Sequence, residues 1–401
     1  MKSGRVVITG MGVFCGSGRN VAEFGEALMN STCGIGPLDL FDVSAFSAHI
    51  GCQVRGFDPL DHFDRRTAAK LSRADQFGLI AAGEALRESG VGGCCSPYDM
   101  GIAMGAGAGG MFQAEQWLKS RLAWETASPL LLRGMLPDKT ATEIARRFNL
   151  AGYQGSVTTA CSSSATAIGW GAELVAAGHQ KVVLAGGSDA LSLLTFAGFN
   201  ALKVVDPEPC SPFSLGRQGI TLGEGAAFLV LEDEEHARKR GARIHGAVLG
   251  YALAGEGFHM TAPEAGGVTA ARVMREAMER SGVTPDEVGW INAHGTGTPL
   301  NDVVESNAVK LVFGDRAPLV PLVSTKAMTG HCLGAAASVE AVATLIALQR
   351  RIIPPTLNFR GRDPECDLEY CHGGPRPCDS RVALSNSFAF GGNITSLVLS
   401  L

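Results

Sequence analysis

No long basic run occurs in the 401 residues, and a formal net charge of −5 supplies no general attraction to nucleic acid or to an anionic membrane. No stretch holds eighteen uninterrupted apolar residues, so no membrane span is expected. The N-terminus enters the strand pattern Arg5-Val6-Val7-Ile8-Thr9 without a charged-then-apolar leader, which points to a soluble, cytoplasmic protein. The eleven cysteines are odd in number and scattered without paired spacing, which excludes a disulfide framework. The tail group Cys366, Cys371, His372 and Cys378 fits no zinc spacing, so no metal and no cofactor are expected. What is present is 46% hydrophobic and 18% charged, with 52 glycines, the composition of an ordered α/β protein with many tight turns. The length suits two ordinary domains or one large duplicated unit.

Strand and helix patterns alternate. Arg73 to Gly90 carries apolar residues at helical spacing and stops at a glycine cap. The strand Gly101 to Met104 leads into the run Gly105 to Gly110, which no Lys-Ser/Thr pair follows, so it reads as a loop brought near a substrate and not as a phosphate cradle. A helix over 141–149, a strand ending near Cys161, a small-residue helix to Gly178 and a strand over 181–186 continue the alternation, which argues for a parallel or mixed sheet covered by helices. The octets Glu84 to Val91 and Glu276 to Val283 agree at five of eight positions, and each closes a helix before a strand. This echo predicts a duplicated α/β fold, with halves at 1–242 and 243–401 and a site between them.

Chemistry gathers at strand ends. Ser156 to Ala160 is a strand that stops at Cys161, and the helix after it would place the sulfur at positive backbone N–H groups that favour thiolate. The strand Val288 to Ala293 ends at His294, and the strand Leu322 to Thr325 ends at Lys326 and runs on to His331. A thiolate can take and hold an acyl group from a thioester. Two neutral imidazoles can then donate to the enolate oxygen left when a malonyl thioester loses CO₂. The segment Leu384 to Gly392 adds a glycine-flanked backbone able to give an N–H to an acyl oxyanion.

These residues resemble the β-ketoacyl-acyl carrier protein synthases, the condensing enzymes of fatty acid and polyketide assembly. The resemblance rests on Thr159-Ala160-Cys161-Ser162-Ser163, Asn292-Ala293-His294-Gly295-Thr296-Gly297-Thr298-Pro299, Ser324-Thr325-Lys326-Ala327-Met328-Thr329-Gly330-His331 and Asn386-Ser387-Phe388-Ala389-Phe390-Gly391-Gly392, and it covers nearly the whole chain. It implies a thiolase-like fold, two duplicated halves in five α-β-α-β-α layers, working as a homodimer or as a heterodimer with a homologous subunit. It assigns the nucleophile to Cys161, the malonyl site to His294 and His331, and the acyl gate to Phe390. An oxyanion hole would come from the N–H groups of Cys161 and Phe390. Lys326 would be a support held by Glu305 and Glu340. Thr296 and Thr298 would bind the phosphopantetheine arm, and Phe199 and Ala108 the acyl chain. The resemblance allows, without requiring, a monovalent cation near Asn292, Glu340, Ser385 and Asn386.

The chain departs from the family at Ala389 and Asn393 beside the gate, and at Ser211, Ser214 and Gln218. It also departs at Ala108, where a bulky aliphatic residue is usual, which favours a polyketide or polyene substrate. Arg65, Arg66, Lys70 and Lys203 are the expected docking residues for an acidic acyl carrier protein. The alternative to an enzyme is a non-catalytic partner subunit that sets chain length, a role for which the cysteine is usually absent.

Overall fold

The computed structural model describes residues 4–401. Its first strand is longer than its apolar run predicts: β1 spans Val6–Cys15 and passes through Gly10 and Gly12 instead of ending at Thr9. Both glycines lie under helix α1 (Arg73–Ser89). A Cβ on Gly12 would overlap the carbonyl oxygen of Ala81, and one on Gly10 that of Ala85. The missing side chains let the helix backbone rest directly on the sheet.

In the first half β1 is joined by β2 (Met100–Gly105), β3 (Gln154–Val157), β4 (Val182–Asp189) and β5 (Gly225–Asp233), in the spatial order β3-β2-β4-β5-β1. The second half has β6 (Gly246–Gly255), β7 (Trp290–Asn292), β8 (Leu322–Val323), β9 (Val382–Phe388) and β10 (Asn393–Ser400), in the order β8-β7-β9-β10-β6. Numbered within each half, both orders are 3-2-4-5-1, and in both the fifth strand is antiparallel to its two neighbours while the second, third and fourth are parallel. The halves join where Val6–Ile8 pairs with Gly246–Val248.

Two helices, α2 (Ser163–Ala176) and α5 (Ala336–Arg350), touch strands of both halves and lie between the sheets. Outside them, α1 covers the first sheet, and α3 (Val268–Ser281) and α4 (Pro299–Phe313) cover the second, which completes five α-β-α-β-α layers. The echoed octets end α1 and α3, each capped by a left-handed glycine, Gly90 at φ 61° and Gly282 at φ 64°. Leu333–Arg350 is apolar and long enough to cross a membrane, yet it is this central helix with its preceding turn, 89% buried. A helix apolar on every side belongs in a core of this kind.

The contact at Gly12 yields a stability test. Gly12→Ala is expected to destabilise the protein by about 3 kcal/mol, since backbone must move to admit the methyl group. Gly92→Ala, whose Cβ meets nothing within 4 Å, should stay within about 0.5 kcal/mol of the unmodified protein. Urea midpoints of the two variants make the comparison.

Candidate active site

Cys161 lies on the tight turn Ala160–Ser162 that opens α2. Ala160 holds φ at +49°, a left-handed conformation costing about 1–2 kcal/mol for a residue with a Cβ. The Ser163 hydroxyl fixes it: Oγ accepts from Thr159 N at 2.9 Å and donates to Ala160 O at 2.6 Å. The backbone N–H groups of Phe390 and of Cys161 itself face the sulfur. Burial nevertheless pushes the thiol up to about 11, outweighing the positive charge of Lys326 and those N–H groups. The expected helix start is present, but it does not ionise the thiol at rest; loss of water around the sulfur is the larger effect.

His294 follows β7, and its backbone is pinned by Glu305, whose two oxygens accept from His294 N and Gly295 N, both at 2.9 Å. Glu305 had been expected to hold Lys326. The carboxylate that contacts Lys326 is that of Glu340, on α5, and both groups are almost wholly buried. Lys326 Nζ also donates to His294 O at 2.6 Å and lies 3.3 Å from His294 Nδ1. Burial raises Glu305 and Glu340 to about 7 each, against the pull of their N–H and ammonium partners.

His331 stands across from His294, ring centroids 5.6 Å apart and planes nearly perpendicular. Its Nδ1 accepts from Leu333 N at 2.9 Å. With both Nδ1 atoms taken as acceptors, each neutral ring carries its proton on Nε2. Burial first, then Lys326, lowers both imidazoles: His294 well below its ordinary value and His331 to about 3. Cys161, His294 and His331 present ligand atoms within 4.8 Å of one another. That donor set resembles a soft-metal site, but the Nε2 protons make the two rings hydrogen-bond donors toward the sulfur side and not metal ligands.

The three residues line one cleft of about 280 Å³. Thr296 and Thr298 also line it, their hydroxyls 3.0 Å apart. Phe199 and Phe390 stack on each other at 5.8 Å inside it. Ala108 is not on the open cleft; it packs beyond Phe199 against the apolar cluster of Leu191, Phe196, Ile220, Leu222 and Leu333. The turn at Phe390 is closed by Ala389 N donating to Asn393 O at 2.8 Å, a backbone bond in which neither side chain takes part. Ser211 Oγ is buried without a partner, and Ser214 Oγ accepts from Arg360 N at 3.3 Å. Gln218 lends only its backbone N–H, to Asp206 at 3.2 Å. Arg65, Arg66, Lys70 and Lys203 are all exposed, and Lys203 adjoins Val204 of the cleft wall. Glu340 Oε2 and Ser385 Oγ are buried without partners near Asn292, an oxygen set that fits a monovalent cation, which would add positive charge behind Lys326. In the tail, Cys366 and Cys371 enter different apolar clusters and form no common site.

Comparison with known proteins decides the family. The profile described as "Beta-ketoacyl synthase, N-terminal domain" matches residues 3–237, and "Beta-ketoacyl synthase, C-terminal domain" matches 245–360. The chain belongs to the β-ketoacyl synthase family. The 3-oxoacyl-[acyl-carrier-protein] synthase 2 of Synechocystis sp. is 36% identical over 403 residues, covering 98% of this chain and 97% of the relative. Among solved structures, the ishigamide ketosynthase/chain length factor superposes with a TM-score of 0.92 at 34% identity over 99% of both chains. A type II PKS acyl-carrier protein in complex with its ketosynthase bound to the hexaketide gives 0.91 at 30%, again over 99% of both chains.

Three residues of this synthase carry weight that the motifs did not mark. Arg217 donates to Thr298 O at 3.2 Å and to Pro299 O at 2.9 Å, and pairs with Asp302 and Asp363, bracing that side of the cleft. Asp189 accepts four backbone N–H groups from two loops. Leu333 sets the His331 tautomer. Only the apolar run before Asp189 hinted that a carboxylate there would be buried.

The buried thiol makes a pH prediction. Alkylation of Cys161 by iodoacetamide should rise about tenfold per pH unit from about pH 7 to about pH 9 without levelling, as expected of a nucleophile titrating far above that range. Stopped assays with intact-mass readout follow it.

Proposed function

We propose that this synthase joins a Cys161-bound acyl chain to a malonyl unit with loss of CO₂. The Cys161 sulfur attacks an acyl thioester on a carrier protein, the carrier sulfur leaves with the proton, and the acyl group is now on Cys161. The malonyl thioester then binds with its carbonyl oxygen at the Nε2–H groups of His294 and His331. The bond from the malonyl Cα to its carboxylate breaks, CO₂ departs, and the electron pair forms an enolate held by those two donors. The enolate carbon attacks the acyl carbonyl, whose oxygen turns toward the N–H groups of Cys161 and Phe390. Collapse expels the Cys161 sulfur, which takes a proton from solvent water, and leaves β-ketoacyl on the carrier. The observation that carries this reading is the pair of neutral rings whose Nδ1 atoms are both occupied, so that only donors face the thiol.

The enzyme is an acyltransferase. Its small Ala108 and its likeness to the ishigamide ketosynthase/chain length factor support a polyketide or polyene acyl chain over a housekeeping fatty acid. The acyl carrier protein is its partner, docking through Arg65, Arg66, Lys70 and Lys203, and the working unit is a dimer, of identical or of homologous subunits. Free thiols at all eleven cysteines suit the cytoplasm. The division between halves at 242 and 243 falls between the stretches matched by the two family profiles. The second reading, a chain-length-setting partner without turnover, is disfavoured by a complete Cys161, His294 and His331 set.

Incubation with an acyl carrier donor should add one acyl mass to Cys161, and malonyl carrier should then discharge it; absence of the adduct would refute the condensation. Ala108→Ile is expected to shift preference toward shorter acyl donors by about tenfold, the burial of roughly two methylene groups. Competition between donors of two lengths reads it directly, and an unchanged ratio removes Ala108 from the pocket wall.

A further inference from the structure

The acyl pocket and the second histidine share one turn. Leu333 holds φ at +52°, a left-handed conformation for a residue with a Cβ. Its N–H donates to His331 Nδ1 at 2.9 Å. Its side chain is buried in the cluster of Leu191, Phe196, Ile220 and Leu222, against which Ala108 and Phe199 pack. Phe199 and Ile220 also line the cleft beside Cys161. One residue therefore touches the wall that an acyl chain must meet and fixes the ring that a malonyl group must meet.

Asp189 ties the same two regions. It is fully buried at the end of β4; Oδ2 accepts from Gly107 N at 2.8 Å and from Gly334 N at 2.6 Å, and Oδ1 accepts from Ala108 N at 2.8 Å and Gly109 N at 2.5 Å. A Cβ on Gly334 would overlap Gly107 N, so the two loops already lie backbone to backbone. The loop that carries Ala108 and the turn that carries Leu333 and Gly334 are held as one body by a single carboxylate.

We propose that Asp189 and Leu333 are positioning residues that couple an acyl chain in the pocket to the orientation of His331, so that malonyl decarboxylation depends on a pocket filled to the fitting length. This rests on the condensation proposed above. Neither residue touches a reacting atom. The chain presses on Phe199 and Ile220, in whose cluster Leu333 is buried, only in the arrangement it favours, and that difference in contact is what shifts the turn. The shift reaches Nδ1 through the Leu333 N–H, and the Nε2–H on the far side of the ring moves into place for the enolate oxygen. Asp189 keeps the turn from relaxing independently of the pocket wall.

The test separates two partial reactions of the full-length enzyme: acyl loading of Cys161 by intact mass, and CO₂ release from malonyl carrier protein with donors of increasing acyl length. In the unmodified enzyme CO₂ release should climb with acyl length to an optimum. Leu333→Ala keeps the backbone N–H and should leave loading within about twofold while flattening the length dependence, and Leu333→Met, similar in volume, should restore it. Asp189→Asn turns an amide N–H₂ toward backbone donors and should lower CO₂ release about a hundredfold through misplacement of the ring, with loading retained. A length dependence in Leu333→Ala as steep as in the unmodified enzyme overturns the coupling, as does a parallel fall of loading and CO₂ release in Asp189→Asn. Thermal unfolding of each variant separates misfolding from misplacement, and the Leu333 pair decides the matter if Asp189→Asn folds poorly. Failure of the unmodified enzyme to load or to release CO₂ would instead defeat the condensation itself.

Discussion

Everything at the centre of the molecule leans on the ion pair between Lys326 and Glu340. Each side chain is at most 2% exposed, and a buried charge without a partner costs several kcal/mol, so neither group could be there alone. The pair ties the segment after β8 to the central helix α5, and the second Lys326 bond, to His294 O, adds the end of β7. Three pieces of chain distant in sequence are thereby set at one point. The same positive charge acts on each reacting group: it pulls the Cys161 thiol down, though less than burial raises it, and it helps lower His294 and His331. The protonation pattern of the site is thus set first by burial and then by one charge whose own burial Glu340 makes tolerable.

Duplication explains why these groups meet. Cys161 follows β3 and His331 follows β8, each the third strand of its half. Each lies beside a short tight turn, Ala160–Ser162 or Leu333–Ala335, that opens one of the two helices between the sheets. Each turn contains a left-handed residue with a side chain, Ala160 at φ +49° and Leu333 at φ +52°. One structural device has therefore been used twice, once to present a thiol and once to present a ring. His294 follows β7 and the Ala108 loop follows β2, the second strands of their halves, so the remaining parts of the site are also related positions with different contents. A cleft at the junction needs no further design: the loops at equivalent strand ends converge there.

That Cys161, His294, Lys326 and His331 come together was legible in the sequence because each is signalled locally, by an apolar run that stops at Cys161, at His294 or just before Lys326 and His331, with glycine or small residues beyond. The duplication was legible for a similar reason, since one octet is preserved in both helix ends, whereas the five layers followed only from the family resemblance. What could not be read depends on distance along the chain. Asp189 looks like the last residue of a strand, and its partners lie 80 to 145 positions away. That Glu340 and not the expected Glu305 meets Lys326 depends on where the helices carrying the two carboxylates lie. The extension of β1 through Gly10 and Gly12 depends on the approach of α1, which no window around those glycines contains. The protonated thiol follows the same principle: the helix start that favours thiolate is local and visible, whereas the burial that outweighs it is a property of the whole fold.

A protonated thiol between neutral rings suits a site that must bind two substrates in turn. An ionised Cys161 would engage both Nε2–H donors before any malonyl group arrived, and it would place a second negative charge near Glu340 in a volume that water does not screen. The protonated form leaves the donors free. When the carrier-bound acyl group arrives, the proton lost by Cys161 departs on the carrier sulfur, so no net charge is left behind in the buried cleft. In the proposed condensation negative charge then develops on oxygen atoms, at the enolate and at the tetrahedral carbonyl, where N–H groups already fixed by Leu333, Lys326 and the turn at Ala160 await it, until the expelled sulfur is protonated. Such fixed donors need no reorganisation at the moment of reaction, which is why burial that makes the thiol a poor acid also makes the surroundings an effective site for condensation.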